Sequence, residues 1–151
     1  MPRHKFSKPV PFSAQQMFDM VADVGRYHEF LPLCTASDVT GVETDGQGIT
    51  RFKGALRIEK PAIMLNETFT SDVTANPNDF SVLAVSSSGP IKRLSNTWRF
   101  IDLEKGGSQA IMELDFEMSS LALRILMKAS FDPIMSKLTG AFEKRAYQLY
   151  R

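Results

Sequence analysis

The side chains able to do acid–base or metal chemistry are few and scattered in this 151-residue chain. The two histidines, His4 and His28, stand far apart without a metal-ligand spacing, and Cys34 is the single cysteine, so neither a zinc cluster nor a disulfide framework can be assembled. There is no Gly-x-Ser-x-Gly elbow and no phosphate-binding glycine loop. Asp19, Asp23 and Glu29 lie near one another, but carboxylates on a short amphipathic helix serve a solvated face more often than an acid–base pair. The better candidates are binding groups. Trp98 offers a large apolar plate with one N–H to satisfy, suited either to wall a cavity or to anchor a core. Arg93 and Asn96 fall in one segment and carry donors that suit a carbonyl oxygen, although arginine on an exposed strand face is the commoner situation.

These residues need elements to bring them together, and two periodicities supply them. Phe52, Gly54, Leu56 and Ile58 alternate with charged residues, and so do Met112, Leu114, Phe116 and Met118, which predicts strands with one wet face. From Ser119 to the C-terminus the spacing becomes three and four. Met127, Phe131, Ile134, Met135, Leu138, Ala141, Phe142, Ala146 and Leu149 form one stripe, with Lys128, Lys137, Lys144, Arg145 and Gln148 between them. A long amphipathic helix is expected, with Pro133 either kinking it or starting a second helix capped by Asp132.

Earlier in the chain, Arg3 to Val10 is β-compatible, and Pro9 and Pro11 suit an edge strand. Ser13 and Gln16 form a capping box with a Phe12–Met17 staple, opening a helix expected to end at Gly25, and a second helical piece spans Arg26 to Leu31. Further strands are expected over Thr35 to Val42, Arg51 to Glu59, Ile63 to Val73, Phe80 to Ser87, Ile91 to Ile101 and Ala110 to Met118. Strand, two helices, six strands and a long helix make an α+β domain over residues 1–151. Its antiparallel sheet has one apolar face, which the last helix covers. The space between can be packed or hollow; eight methionines suit either, because thioether chains fill gaps and line adaptable apolar sites.

A formal charge of +1 gives no broad basic field for nucleic acid, and DNA is not an expected partner. No stretch is long and apolar enough for a membrane span or a signal peptide, so the expected location is the cytoplasm, with peripheral contact at an inner membrane. The segment Leu121 to Met127 is apolar nearly all round. It is a candidate membrane contact through Leu121, Leu123 and Leu126, unless neighbouring loops cover it.

Three segments carry a family resemblance over nearly the whole chain. They are Phe18 and Val21-Ala22-Asp23-Val24 through Tyr27 to Phe30-Leu31-Pro32-Leu33-Cys34; Gly89-Pro90-Ile91-Lys92-Arg93-Leu94 to Trp98-Arg99-Phe100; and Ala141-Phe142-Glu143-Lys144-Arg145-Ala146 to Leu149-Tyr150. The chain resembles the coenzyme Q-binding and ribosome-association toxin proteins of the START-like, polyketide cyclase-related superfamily. The resemblance implies a helix-grip fold: a curved antiparallel sheet around a long C-terminal helix, with two short helices after the first strand. It also implies a single lipid-binding domain with no catalytic residues, no metal and no cofactor, whose ligand is ubiquinone or a similar isoprenoid lipid. The cavity residues expected on this basis are Phe52, Leu56, Trp98, Met112, Leu114 and Phe116 from the sheet, and Met127, Phe131, Met135, Leu138 and Phe142 from the helix. Tyr27, Arg93 and Asn96 are the head-group candidates. The implied role is support of respiratory quinone function. The alternative is a regulator binding the large ribosomal subunit through the dispersed set Arg51, Lys53, Arg57, Lys60, Lys92 and Arg93; a cyclase-like enzyme is the third reading.

Overall fold

The computed structural model describes residues 3–63, 65–86, 89 and 91–150, without the side chains of residues 63, 65, 122–123, 126–127 and 129–131. Strand β1 (Arg3–Val10) leads to helix α1 (Ala14–Ala22) and a 3-10 helix over Val24–Glu29. Then follow β2 (Cys34–Thr44), β3 (Thr50–Lys60), a single 3-10 turn Pro61–Ile63, β4 (Leu65–Asn76), β5 (Ser81–Ser86), β6 (Ile91–Asp102), β7 (Ser108–Met118) and helix α2 (Leu121–Tyr150). The seven strands form one antiparallel sheet in the order β1-β7-β6-β5-β4-β3-β2. Six of them meander, and β1 closes the far edge against β7, where Pro9 interrupts no inner ladder. The fold is the helix grip expected from the sequence.

Helix α1 starts as its sequence dictates. Gln16 N–H donates to Ser13 Oγ at 3.1 Å while Ser13 N–H donates to Gln16 Oε1 at 3.0 Å, and the flanking Phe12 and Met17 are both buried. The Asp102 carboxylate accepts from Ala14 N–H at 2.8 Å and ties the end of β6 to the same helix start. Because Asp102 keeps that second partner, Ser13→Ala is expected to lower stability by only about 0.5–1 kcal/mol, measured by urea denaturation. The helix ends at Ala22, with Asp23 as its C-cap, and not at Gly25. Gly25 instead lies inside the 3-10 helix, with ordinary negative φ, and its carbonyl accepts from Ser37 Oγ at 2.8 Å. The second helical piece is therefore a 3-10 segment over Val24–Glu29, earlier and tighter than the expected Arg26 to Leu31.

Helix α2 runs without a break through Pro133, so Asp132 caps no second helix. Met135, Phe142 and Ala146 are buried on its sheet side, and Ile134, Leu138 and Ala141 are partly so. Leu149 leaves the stripe and is 46% exposed; Tyr150 packs inward in its place, its hydroxyl donating to Gln16 O at 2.7 Å. The C-terminal half of α2 is also pinned by Lys8–Glu143 at 2.8 Å and Arg145–Glu29 at 2.6 Å.

At the start of β7, Ser108 is fully buried and its Oγ has no hydrogen-bond partner among the described residues. An unsatisfied buried hydroxyl is destabilising, so Ser108→Ala is expected to raise stability by about 1 kcal/mol in the same denaturation experiment.

Candidate functional site: an apolar cavity between helix and sheet

Among the described residues the buried apolar side chains form two clusters, and Leu114 packs against both. A large cluster gathers α1, the 3-10 helix, β3 to β7 and the C-terminal half of α2, while Ile91, Phe116 and Met118 form a separate small one. Both clusters contribute to the wall of a cavity of about 310 Å³. The sheet floor comes from alternate residues of five strands, because side chains two apart share a face. It includes Leu56 from β3, Val73 from β4, Ala84 from β5, Trp98 from β6 and Met112, Leu114 and Phe116 from β7. Helix α2 roofs it with Ile134, Met135, Leu138, Thr139 and Phe142, and Val24, Tyr27, Leu31, Pro32 and Leu33 add to the lining beside the 3-10 helix.

The sequence-derived candidates fall into three groups. Leu56, Trp98, Met112, Leu114, Phe116, Met135, Leu138 and Phe142 line the cavity, and so do Tyr27 and Asn96. Met127, Phe131, Leu123 and Leu126 have side chains outside those described. Phe52 and Arg93 are corrections. Phe52 is buried in the large cluster and is not part of the wall; Gly54, one step further along the same face, takes that place, with a Cβ position only 3.1 Å from Val24. Arg93 is three residues from Asn96, an odd separation that puts the two on opposite faces of β6. Its guanidinium lies on the outer face against Asp115 at 3.4 Å and Glu117 at 3.7 Å, so it offers nothing to the cavity.

Aromatic packing sets the shape of the wall around Phe142. Its ring lies 5.2 Å from Tyr27, 5.3 Å from Phe30 and 5.1 Å from Trp98, and Trp98 stacks on Phe100 at 5.9 Å. Trp98 thus both walls the cavity and anchors the core. Arg145 lies 5.2 Å over the Phe30 ring while paired to Glu29, which locks the 3-10 segment to the helix beside the cavity.

No Asp, Glu, His, Lys or Arg is among the described residues of the wall. Tyr27 is the titratable group there, and burial, with Asp23 adding to it, pushes its phenol well above the usual range. Its hydroxyl donates to Val21 O, so it stays a neutral phenol committed to the backbone. The remaining polar groups among the described wall residues are Ser71, Asn96 and Thr139. Asn96 Nδ2 donates to Glu113 O at 3.2 Å and Thr139 Oγ1 to Met135 O at 2.9 Å, which leaves each able to accept through oxygen. Such a wall can hold a neutral, largely apolar molecule with a few polar atoms, and its described residues present no acid–base pair. Cys34 is buried beside this segment, its thiol pushed up by desolvation.

Ser71, Thr139 and the segment Leu31-Pro32-Leu33 are wall residues that the sequence did not assign to the cavity. Thr139 was within reach, since it lies four residues after Met135 and three before Phe142 on the same helical stripe. Ser71 shares its parity with Phe69 and Val73, both on the wall.

Residues 10–143 match the family model described as polyketide cyclase / dehydrase and lipid transport. The chain belongs to this family. Within it, the chain is 33% identical over 141 residues to the Ribosome association toxin RatA of Vibrio cholerae, covering 93% of this chain and 92% of that one. It is also 33% identical over 149 residues to the mitochondrial Coenzyme Q-binding protein COQ10 homolog B of Xenopus laevis, covering 95% of this chain and 57% of that protein. Among solved structures, a START superfamily protein from Mycobacterium smegmatis superposes with a TM-score of 0.78 over 97% of this chain and 98% of its own, at 17% identity, which is a likeness of fold.

Proposed function

We propose that this member of the polyketide cyclase and lipid transport family is a noncatalytic carrier of a neutral isoprenoid lipid, with ubiquinone as the ligand, and that it supports respiratory electron transport. The observation that carries this reading is the cavity of about 310 Å³ between α2 and the sheet, whose described wall is largely apolar and carries no charged side chain. At ~30 Å³ per liquid water molecule, that space equals about ten waters, which suits a substituted quinone ring and the first carbons of its tail. Each buried methylene is stabilised by about 0.8 kcal/mol relative to water, but a bilayer offers nearly the same. Selection from the membrane therefore rests on the head, where Ser71, Asn96 and Thr139 supply neutral polar contacts and the wall supplies shape. The test is solvent extraction and native mass spectrometry of the purified protein. Copurifying quinone is expected; a protein that carries none and takes none up from ubiquinone-loaded vesicles overturns the reading.

The ribosome-association name of the Vibrio cholerae relative favours a second reading, association with the large ribosomal subunit. The basic set expected for it is largely neutralised: Arg51 pairs with Asp45, Lys53 with Asp72, Arg57 with Glu59, and Lys92 and Arg93 with Glu117. Sucrose-gradient cosedimentation of the wild type and of the double variant Lys53→Glu, Arg57→Glu separates the readings. Association that the double variant loses supports the second; under the carrier reading both keep quinone and neither sediments with subunits.

Loading is proposed to occur at a membrane surface, in keeping with a cytoplasmic protein peripheral to an inner membrane. None of the described helices is long and apolar enough to cross a membrane. At the start of α2, Leu121 is 68% exposed and Ile125, one turn on, 62% exposed, with exposed Arg124 and Lys128 beside them. Apolar groups flanked by cations suit shallow insertion among anionic headgroups. Replacing both Leu121 and Ile125 by Ser is expected to lower flotation on phosphatidylglycerol vesicles by about tenfold, from the loss of roughly 1.5 kcal/mol of side-chain burial, with an unchanged melting temperature.

A further inference from the structure

Leu31-Pro32-Leu33-Cys34 is a tight turn closed by Cys34 N–H donating to Leu31 O at 3.2 Å. Leu33, its third residue, has φ +71°, the left-handed value that a proline-led type II turn requires there and that normally selects glycine or asparagine. An L-residue with a branched side chain is disfavoured in that conformation, so a leucine placed there calls for a reason in its side chain. The side chain lines the cavity. The surroundings also hold the strained turn from several sides: Glu59 N–H donates to Leu33 O at 2.9 Å, and Arg145 clamps the preceding Glu29 and Phe30 to helix α2. We infer that Leu33 is the specificity-determining residue of the cavity, a fixed stop whose side chain sets the length of apolar ligand accepted beside the 3-10 segment. This rests on the carrier reading and adds which residue measures the ligand. A leucine side chain has four carbons and an isoprene unit five, so removing it opens room for about one unit.

The test measures binding of two ladders of probes to the full chain: ubiquinones with zero, one, two or four isoprene units, and primary alcohols of six to fourteen carbons. In the wild type, affinity is expected to rise with length and then level off. Leu33→Gly is expected to keep or raise the melting temperature, because glycine suits φ +71°, and to move the plateau outward by one isoprene unit or about four methylenes, with at least a fivefold gain for the first probe beyond the wild-type limit. Leu33→Asn, which also tolerates the left-handed region, is expected to move it the same way, and Leu33→Phe to move it inward; either variant decides the question if the glycine variant does not fold. Ladders that do not move in any folded variant overturn the inference, as does a loss of melting temperature in the glycine and asparagine variants without a change in ladder. A wild type that binds alcohols but no quinone overturns the quinone reading alone, leaving the alcohol ladder to judge Leu33. A wild type that binds neither overturns both.

Discussion

Replacing Phe142 by Glu is expected to leave almost no folded protein at neutral pH. Phe142 is 7% exposed and its ring packs against Tyr27, Phe30 and Trp98, so three elements lose their common contact at once. The truncation part alone, read from Phe142→Ala, should cost about 3–5 kcal/mol. The carboxylate adds the cost of an unpaired buried charge, which brings the total to the order of a small domain's whole stability, about 5–15 kcal/mol. The sign of the pH dependence follows. Burial raises the folded-state pKa of the introduced carboxyl above its unfolded value, so the folded form of this variant binds the proton more tightly and gains stability as pH falls toward the carboxyl's unfolded pKa. Urea denaturation of Phe142→Glu and Phe142→Ala at two pH values is the measurement. Leu138→Glu is the contrasting case: Leu138 is only partly buried and faces the cavity, so this variant is expected to fold and to lose ligand retention. A Phe142→Glu protein as stable as the wild type would show that the helix stripe does not face the sheet.

The layout of elements was legible because each signal is local. Ser13 and Gln16 announce a helix start, alternation from Met112 to Met118 announces a face, and spacing from Met135 to Ala146 announces the side of a helix. What local pattern does not carry is the distance across the interior. The same Met and Phe residues would have served a packed core, and only the tertiary arrangement leaves a space between Leu114 on the sheet and Leu138 on the helix, both of which line it. For Arg93 and Asn96 the odd separation puts the two on opposite faces of β6, so of these two donors it is Asn96 that lines the cavity. Leu33 lay beyond sequence reasoning for a different cause: the direction of a turn side chain depends on the sign of φ, and a leucine gives no hint of a left-handed backbone. Gly25 erred the other way. A glycine after a helical run suggests a C-cap, yet the chain tightened into a 3-10 segment one residue after Asp23 and carried Gly25 with it.

Gly107→Ala is expected to be the most damaging glycine-to-alanine change in the chain. Gly107 precedes β7 with φ +74°, and a Cβ there would lie 2.3 Å from Val10 O and 3.3 Å from Pro11 Cα. Those are backbone atoms, so no rotamer change relieves the contact. The end of β1 must move away from β7, although Val10 pairs with Ser108 at the end of that ladder and leads through Pro11 and Phe12 into the capping box of α1. Two costs add: about 1–2 kcal/mol for a left-handed alanine, and a displacement of the closing strand of similar size, for a total of about 2–4 kcal/mol. Its neighbour separates the two. Gly106 has φ +99° with nothing within 4 Å of its Cβ position, so Gly106→Ala bears the conformational cost alone. Urea midpoints should therefore fall in the order wild type, Gly106→Ala, Gly107→Ala, and hydrogen exchange in the second variant should quicken at the β1–β7 ladder while the β3–β4 ladder keeps its protection. Equal midpoints for the two alanine variants would mean that β1 does not approach the β6–β7 turn as described.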